Sequence, residues 1–179
     1  PLSSMGIIEV IRGVSSGLYG NASGGVIMLK SSPIKTKKTL IATYGEFGSQ
    51  HLVGSYGSKN EKNLFRAVVE HKKYHGYRHW SGYENSLINL SNTFINTNRD
   101  KLTIAYNYFN SPLALDAGGL TATEVRENRS QARQQNLDYK SGEKVKQHQF
   151  TAHWQSKKWT TYCLLYTSDA ADETGRGGV

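Results

Sequence analysis

Cysteine is nearly missing from this chain, with one in 179 residues, and proline and methionine are scarce at three and two. A single cysteine leaves no Cys/His cluster to hold a metal. Long apolar runs are absent as well. The best stretch, residues 24–29, falls far short of the ~20 consecutive apolar residues that a membrane-spanning helix needs. That excludes a helical membrane protein but not a barrel, whose strands carry a far weaker apolar signal. For the same reason a mean hydropathy of −0.57 is compatible with an outer-membrane location, since a polar lumen, polar loops and one apolar residue in two average to a hydrophilic value. Ala, Leu and Glu are too few for a long-helix protein. There is no Gly-rich phosphate loop and no nucleophile elbow, so the chain reads as something other than an enzyme, with no cofactor. No basic stripe with ordered aromatics points to nucleic acid.

What the chain has in quantity is Gly, at 18 residues, and Tyr, at 11. Tyr, Thr, Val and Ile favour strands, and frequent Gly and Asn favour the turns between them. After Pro33 the pattern takes period two, with turn signals between runs. Strands are expected at 39–45, at 51–58, and from Leu64 onward, where Phe65, Ala67 and Val69 alternate with Arg66 and Glu70. A fourth spans 87–96, with Ile88, Leu90 and Phe94 opposite Asn89, Ser91 and Thr93. A fifth sets Leu102, Ile104, Tyr106 and Tyr108 on one side, and a sixth sets Phe150, Ala152 and Trp154 against Gln149, Thr151 and His153. Each strand has one apolar and one polar face, and short connections alternate with long ones. By alternation alone, a soluble β-sandwich and an outer-membrane barrel fit almost equally well.

The stretch 7–29 reads IIEVIRGVSSGLYGNASGGVIML. Taken by itself it is a strand–turn–strand unit, with glycines at 13, 20, 24 and 25 permitting positive φ and close backbone approach. The order IEVIRG, SS-x-LYG, GGVI also resembles the closing motif of the plug domain in TonB-dependent outer-membrane receptors. Glu9, Arg12, Gly13, Ser16, Leu18, Tyr19, Gly20, Gly24, Gly25, Val26 and Ile27 occupy matching positions, and Val14 stands where that family commonly has Pro. The resemblance implies an all-β fold: residues 1–32 as the C-terminal end of a plug, and 33–160 as about six antiparallel first strands of a large barrel. Glu9, Arg12, Gly13, Tyr19, Gly20, Gly24 and Gly25 would then be structural and gating residues, with Arg12 ion-paired to a carboxylate of the barrel wall. Short connections would be periplasmic turns and long ones extracellular loops, and Tyr106, Tyr108, Trp154 and Trp159 would contribute to interfacial aromatic girdles.

The insertion 111–147 carries a capping box, Thr121 with Glu124, for a helix expected to run to about Gln134. It resembles a loop of iron-complex receptors in the same family, matching at Asp116, Gly119, Leu120, Thr121, Asn136, Leu137, Tyr139, Gly142 and Glu143. What the resemblance implies is a bacterial outer-membrane receptor that takes up a metal chelate, such as an iron–siderophore complex, with energy from the TonB complex. The TonB-contact segment is expected upstream of these residues. Outer-membrane lipid and lipopolysaccharide would be further partners, because the basic loop residues Lys72, Lys73, Arg78, Arg126, Arg129 and Arg133 attract phosphates as readily as anionic chelates. Ligand contacts are expected from His75, Tyr77, Arg78, His79 and Tyr83. His71, His75 and His79 would align on a helix, but Gly76, Tyr77 and Trp80 speak for strand and loop, where the three need not converge, so no direct metal site is expected. The opposing reading is a non-transporting β-rich surface protein, an adhesin or sandwich-type binding module.

The ends read differently from the middle. Pro1 opens the sequence and Met5 falls within an apolar stretch, so residues are expected to precede it. The segment CLLYTSDAADE, 163–173, resembles the conceptual translation of a transposase-type sequencing adapter, and 161–179 are therefore expected to be a non-native tail, set apart from fold reasoning. In the tail Asp169, Asp172 and Glu173 oppose Arg176, a net −2, which leaves +10 on the rest against +8 for the whole. Six strands cannot close a plugged barrel of ~22 strands, so the fragment alone is expected to have an open edge and to be unstable in water.

Overall fold

The computed structural model describes residues 5–13, 24–31 and 34–172. Of these, 64% are in strands and 7% in helices, and every strand pair is antiparallel, which makes the chain all-β. It divides into two units at residues 35/36.

The first unit is a hairpin of β1 (Met5–Arg12) and β2 (Gly25–Ser31). Arg12 pairs with Gly25, and Glu9 with Met28. Gly25 has φ +137°, and a Cβ there would stand 2.5 Å from the Ile11 carbonyl oxygen, so the close crossing at the base of this hairpin requires glycine.

The second unit is a meander of seven strands in sequence order: β3 (Lys37–Gly45), β4 (Ser49–Lys59), β5 (Asn63–Tyr74), β6 (Tyr83–Ile95), β7 (Lys101–Leu115), β8 (Gly142–Gln155) and β9 (Thr160–Asp172). Two short helices, α1 (Ala122–Glu127) and α2 (Gln134–Asp138), lie in the connection from β7 to β8. The six strands expected from alternation are β3 to β8. The seventh, β9, includes the segment read from sequence as a foreign tail. Its pairing with β8 runs from Gln155 opposite Thr160 and uses backbone groups common to any sequence, while the side chains at 161–169 are exposed on both faces.

Register places the residues of each face together. One face carries Leu52, Val69, Ile88, Leu90, Tyr106 and Phe150, matched across neighbouring strands as Val69 with Ile88, Leu90 with Tyr106 and Tyr106 with Phe150. The other carries Ser55, Arg66, Glu70, Asn89, Thr93, Asn107, Gln149 and Thr151. On the inner strands β4 to β8, every large exposed hydrophobic side chain except Tyr83 is on the apolar face, whereas the buried Val53, Val68, Glu70 and Ser111 all lie on the polar one. Along β7 the apolar face runs from Leu102 to Tyr108, six strand steps or about 20 Å, against the apolar band of roughly 25 Å on membrane barrels.

The connections sort by end. At one end they are the tight turns 60–62, 96–100 and 156–159, and at the other 46–48, 75–82 and the long 116–141. The tight turns are built by their own polar side chains. Asn60 Oδ1 accepts from the amides of Lys62 and Asn63 at 3.0 and 2.7 Å. Asn96 Oδ1 accepts from Asp100 N at 2.9 Å, and Ser156 Oγ from Trp159 N at 3.1 Å. Such Asx- and Ser-type bonds are what these residues favour in turns.

Candidate functional site

The three connections at the loop end meet one another. Phe47 and Gly48 turn β3 into β4 with φ of 55° and 66°, and the Phe47 carbonyl accepts from His75 N at 3.0 Å. The His75 ring lies over Gly48, so a side chain at 48 would collide with it. Phe47 meets Tyr77 edge-on at 5.4 Å between centroids and Tyr74 at 6.5 Å, and Tyr74 meets Tyr83 at 5.6 Å. Tyr74 and Tyr83 are opposite each other on the polar face at its loop end, so an aromatic cluster crowns the polar face there.

Arg78 fastens the 75–82 connection to the long one. Its Nε donates to the Gln131 carbonyl at 2.9 Å, Nη1 to Gly118 at 2.7 Å and Nη2 to Ala117 at 3.1 Å. A planar fork with donors on three nitrogens suits this gathering of carbonyls. The His79 amide donates to Ser130 O at 2.7 Å, and Trp80 Nε1 to Ser141 O at 2.8 Å. The long connection is closed on itself in turn: Asn136 Nδ2 donates to both the main-chain and carboxylate oxygens of Asp116 at 3.2 Å, and the Arg133 amide to Ala117 O at 2.8 Å. The capping box is formed, with Glu124 N donating to Thr121 Oγ1 and Thr121 N to Glu124 Oε2 at 2.7 Å. That hydrogen bond from the Thr121 amide, followed by the one from its hydroxyl, holds the Glu124 carboxyl below the usual carboxylate range. The helix does not reach Gln134 as expected: α1 stops at Glu127, because Asn128 turns extended with φ −157° and its Oδ1 accepts from the Ser130 amide and hydroxyl. This local side-chain bonding competes with helix continuation.

Below the aromatic cluster the polar face is hydrogen-bonded across strands. Glu70, 5% exposed, receives His51 Nε2 at 3.0 Å and Lys72 Nζ at 2.7 Å on one oxygen; its other oxygen is buried without a hydrogen-bond partner. Asn89 donates to Asn107, and Asn107 to Gln149 at 3.1 Å, an amide ladder over three strands.

The expected ligand residues therefore separate. Tyr77 and Tyr83 are half-exposed in the aromatic cluster, and His75 borders it. Arg78 is committed to loop carbonyls, and His79 is exposed with its amide bonded to the long loop. Phe47 and Tyr74 complete the cluster and were not singled out by sequence, because their proximity depends on strand register and on a positive φ at Phe47. His71, His75 and His79 do not converge: His71 bonds Ser86 Oγ at 3.0 Å within the sheet. Among the described residues no group of three or more His, Cys, Asp or Glu could hold a metal ion. Of the expected plug residues, Glu9, Arg12, Gly13, Gly24 and Gly25 lie on or beside the hairpin, with Glu9 and Arg12 exposed; Tyr19 and Gly20 fall outside the described residues. No protein-family model matches the chain.

Proposed function

We propose that this chain is part of an outer-membrane receptor that takes up a metal chelate of the iron–siderophore type, with energy delivered through TonB. The observation that carries the reading is the contrast between the faces: large hydrophobics stand exposed on one, while the other encloses Glu70 and Ser111 beside Val53 and Val68 and carries the Asn89–Asn107–Gln149 ladder. A bilayer provides the covering that the apolar face needs, and a water-filled or plug-filled lumen suits the polar face. Connections that are all tight at one end and include the two longest, 75–82 and 116–141, at the other match the asymmetry of such barrels. The β1–β2 hairpin carries IEVIRG and GGVI, the two flanks of the motif that resembles the end of a plug.

On this reading the lumen side of the loop cluster receives the ligand. Phe47, Tyr74, Tyr77 and Tyr83 offer ring surfaces, and His75 borders them. Aromatic rings suit a planar or partly apolar chelate. The test is uptake of ferric chelates by cells carrying the intact gene, with and without its plug-encoding portion. Energy-dependent accumulation that disappears with the plug is the expected result; accumulation unaffected by losing the plug contradicts it. A surface adhesin would accumulate nothing in either case.

A further inference from the structure

On the polar face of β5, Glu70, Lys72 and Tyr74 follow one another at alternate positions, so Lys72 comes between the buried carboxylate and the aromatic cluster. Its backbone is about 7 Å along the strand from that of Tyr74. The Lys72 side chain is 39% exposed and that of Glu70 6%, which puts the ammonium at the mouth of the pair and the carboxylate beneath it. Lys72 Nζ and His51 Nε2 share Glu70 Oε1, at 2.7 and 3.0 Å, while Oε2 is buried with no hydrogen-bond partner. Among the described residues, the titratable groups facing Glu70 are these two, Lys72 from β5 and His51 from β4. Strand β4 also sets Val53 beside Glu70, β6 sets Leu87 and Asn85 opposite Glu70 and Lys72, and β3 presents Thr43 opposite His51. Of these side chains only His51, by taking a proton, can supply the charge that Lys72 supplies.

We propose that Lys72 leaves Glu70 to meet the negative charge of the chelate, and that a proton from water takes its place on the Glu70–His51 pair. The proposal rests on the chelate reading above and assigns its ligand a net negative charge. A buried carboxylate deprived of its cation is strongly disfavoured, so the ammonium leaves only when another positive charge replaces it. Because Glu70 and His51 share a hydrogen bond, the proton belongs to the pair. Lys72 has a flexible stem and three donors, so it turns from one acceptor to another without moving the strand. Binding and protonation then favour each other reciprocally. Affinity for an anionic chelate rises as pH falls, whereas a neutral chelate does not draw Lys72 away and takes up no proton.

The test is titration calorimetry on the receptor from the intact gene, in detergent, with two iron(III) complexes, an anionic hexadentate tris-catecholate and a neutral tris-hydroxamate. Running each in two buffers of unlike ionisation heat counts the protons. The catecholate complex should bind with uptake of about one proton, and its affinity should strengthen by up to about tenfold per pH unit on acidification from about pH 8 to about pH 6. The hydroxamate complex should show neither effect. Glu70→Gln, which releases Lys72 at every pH, should abolish both the uptake and the pH dependence. Lys72→Gln, at a half-exposed position, carries the test if the buried substitution fails to fold; it should bind the catecholate complex severalfold more weakly and without uptake. Catecholate binding without proton uptake, equal uptake with the neutral complex, or uptake that persists in the variants overturns the proposal and leaves the chelate reading intact. Failure to bind either complex overturns the chelate reading itself.

Discussion

Arg78 shows how much one side chain organises here. From sequence it is one of several basic loop residues suited to an anion; in the structure its guanidinium joins three main-chain carbonyls from a loop some forty to fifty positions away. Hydrogen bonds from a charged donor contribute about 1.5–3 kcal/mol each. Arg78→Ala is therefore expected to loosen the whole 116–141 connection by about 2 kcal/mol or more, read as faster amide exchange across that loop with the strand amides unchanged. Arg78→Lys should restore little of this, since one ammonium cannot reproduce the fork. Protection in the Ala variant equal to that of the parent chain would show that the loop is held by its internal bonds alone. Tyr77 gives a complementary case. Tyr77→Ala removes the closest ring contact to Phe47; on the proposed function it should weaken chelate binding severalfold while leaving loop exchange alone, which titration of the two variants side by side would reveal.

At the scale of elements, strands were legible and loops were not. The alternation of Phe65, Ala67 and Val69 with Arg66 and Glu70, or of Ile88 and Leu90 with Asn89 and Ser91, is a local signal of period two, and register preserves it across the sheet. The loop cluster arises from bonds between segments far apart in sequence, such as Trp80 to Ser141, which leave no periodic trace. Helix α1 falls between the two. Its start was readable from Thr121 and Glu124, whereas its end is set by the Asn128–Ser130 side-chain bonds. Thr121→Ala should speed exchange of the α1 amides roughly fivefold, the scale of a lost N-cap. Protonation should have a related effect. Because the folded state depresses the Glu124 pKa, the stability this carboxylate contributes is present at neutral pH, above its unfolded value. It is lost as pH falls through the lower, folded value. Exchange in α1, corrected for intrinsic rates, should thus rise below the ordinary carboxylate range, and Glu124→Gln should flatten that dependence.

For the molecule as a whole, the seven-strand sheet carries its exposed large hydrophobics on one face, and on the proposed reading that face meets lipid. A charge placed on a lipid-facing barrel position costs about 2–4 kcal/mol at the bilayer midplane. Leu90→Arg and Ile104→Arg should sharply reduce the folded fraction in vesicles, followed by heat-modifiable gel migration. Ser91→Arg and Thr151→Arg, on the polar face, should fold nearly as the parent does. In sequence this arrangement was invisible: alternation announces two unlike faces but does not say which is covered. Among the described residues the sheet has open edges at β3 and β9.

The most direct measurement is a spin-label scan along β6 and β7, from 86 to 94 and from 102 to 110, with Cys163 first replaced by Ser and the chain in phosphatidylcholine vesicles. Collision with oxygen, which concentrates in lipid, should peak at 88, 90, 94, 104 and 106. Collision with a water-soluble nickel complex should instead peak at 89, 91, 93, 105 and 107, giving two waves of period two in opposite phase. Both faces accessible to nickel, or no alternation at all, would contradict a membrane-facing sheet and return the chain to the class of soluble β-rich binding proteins.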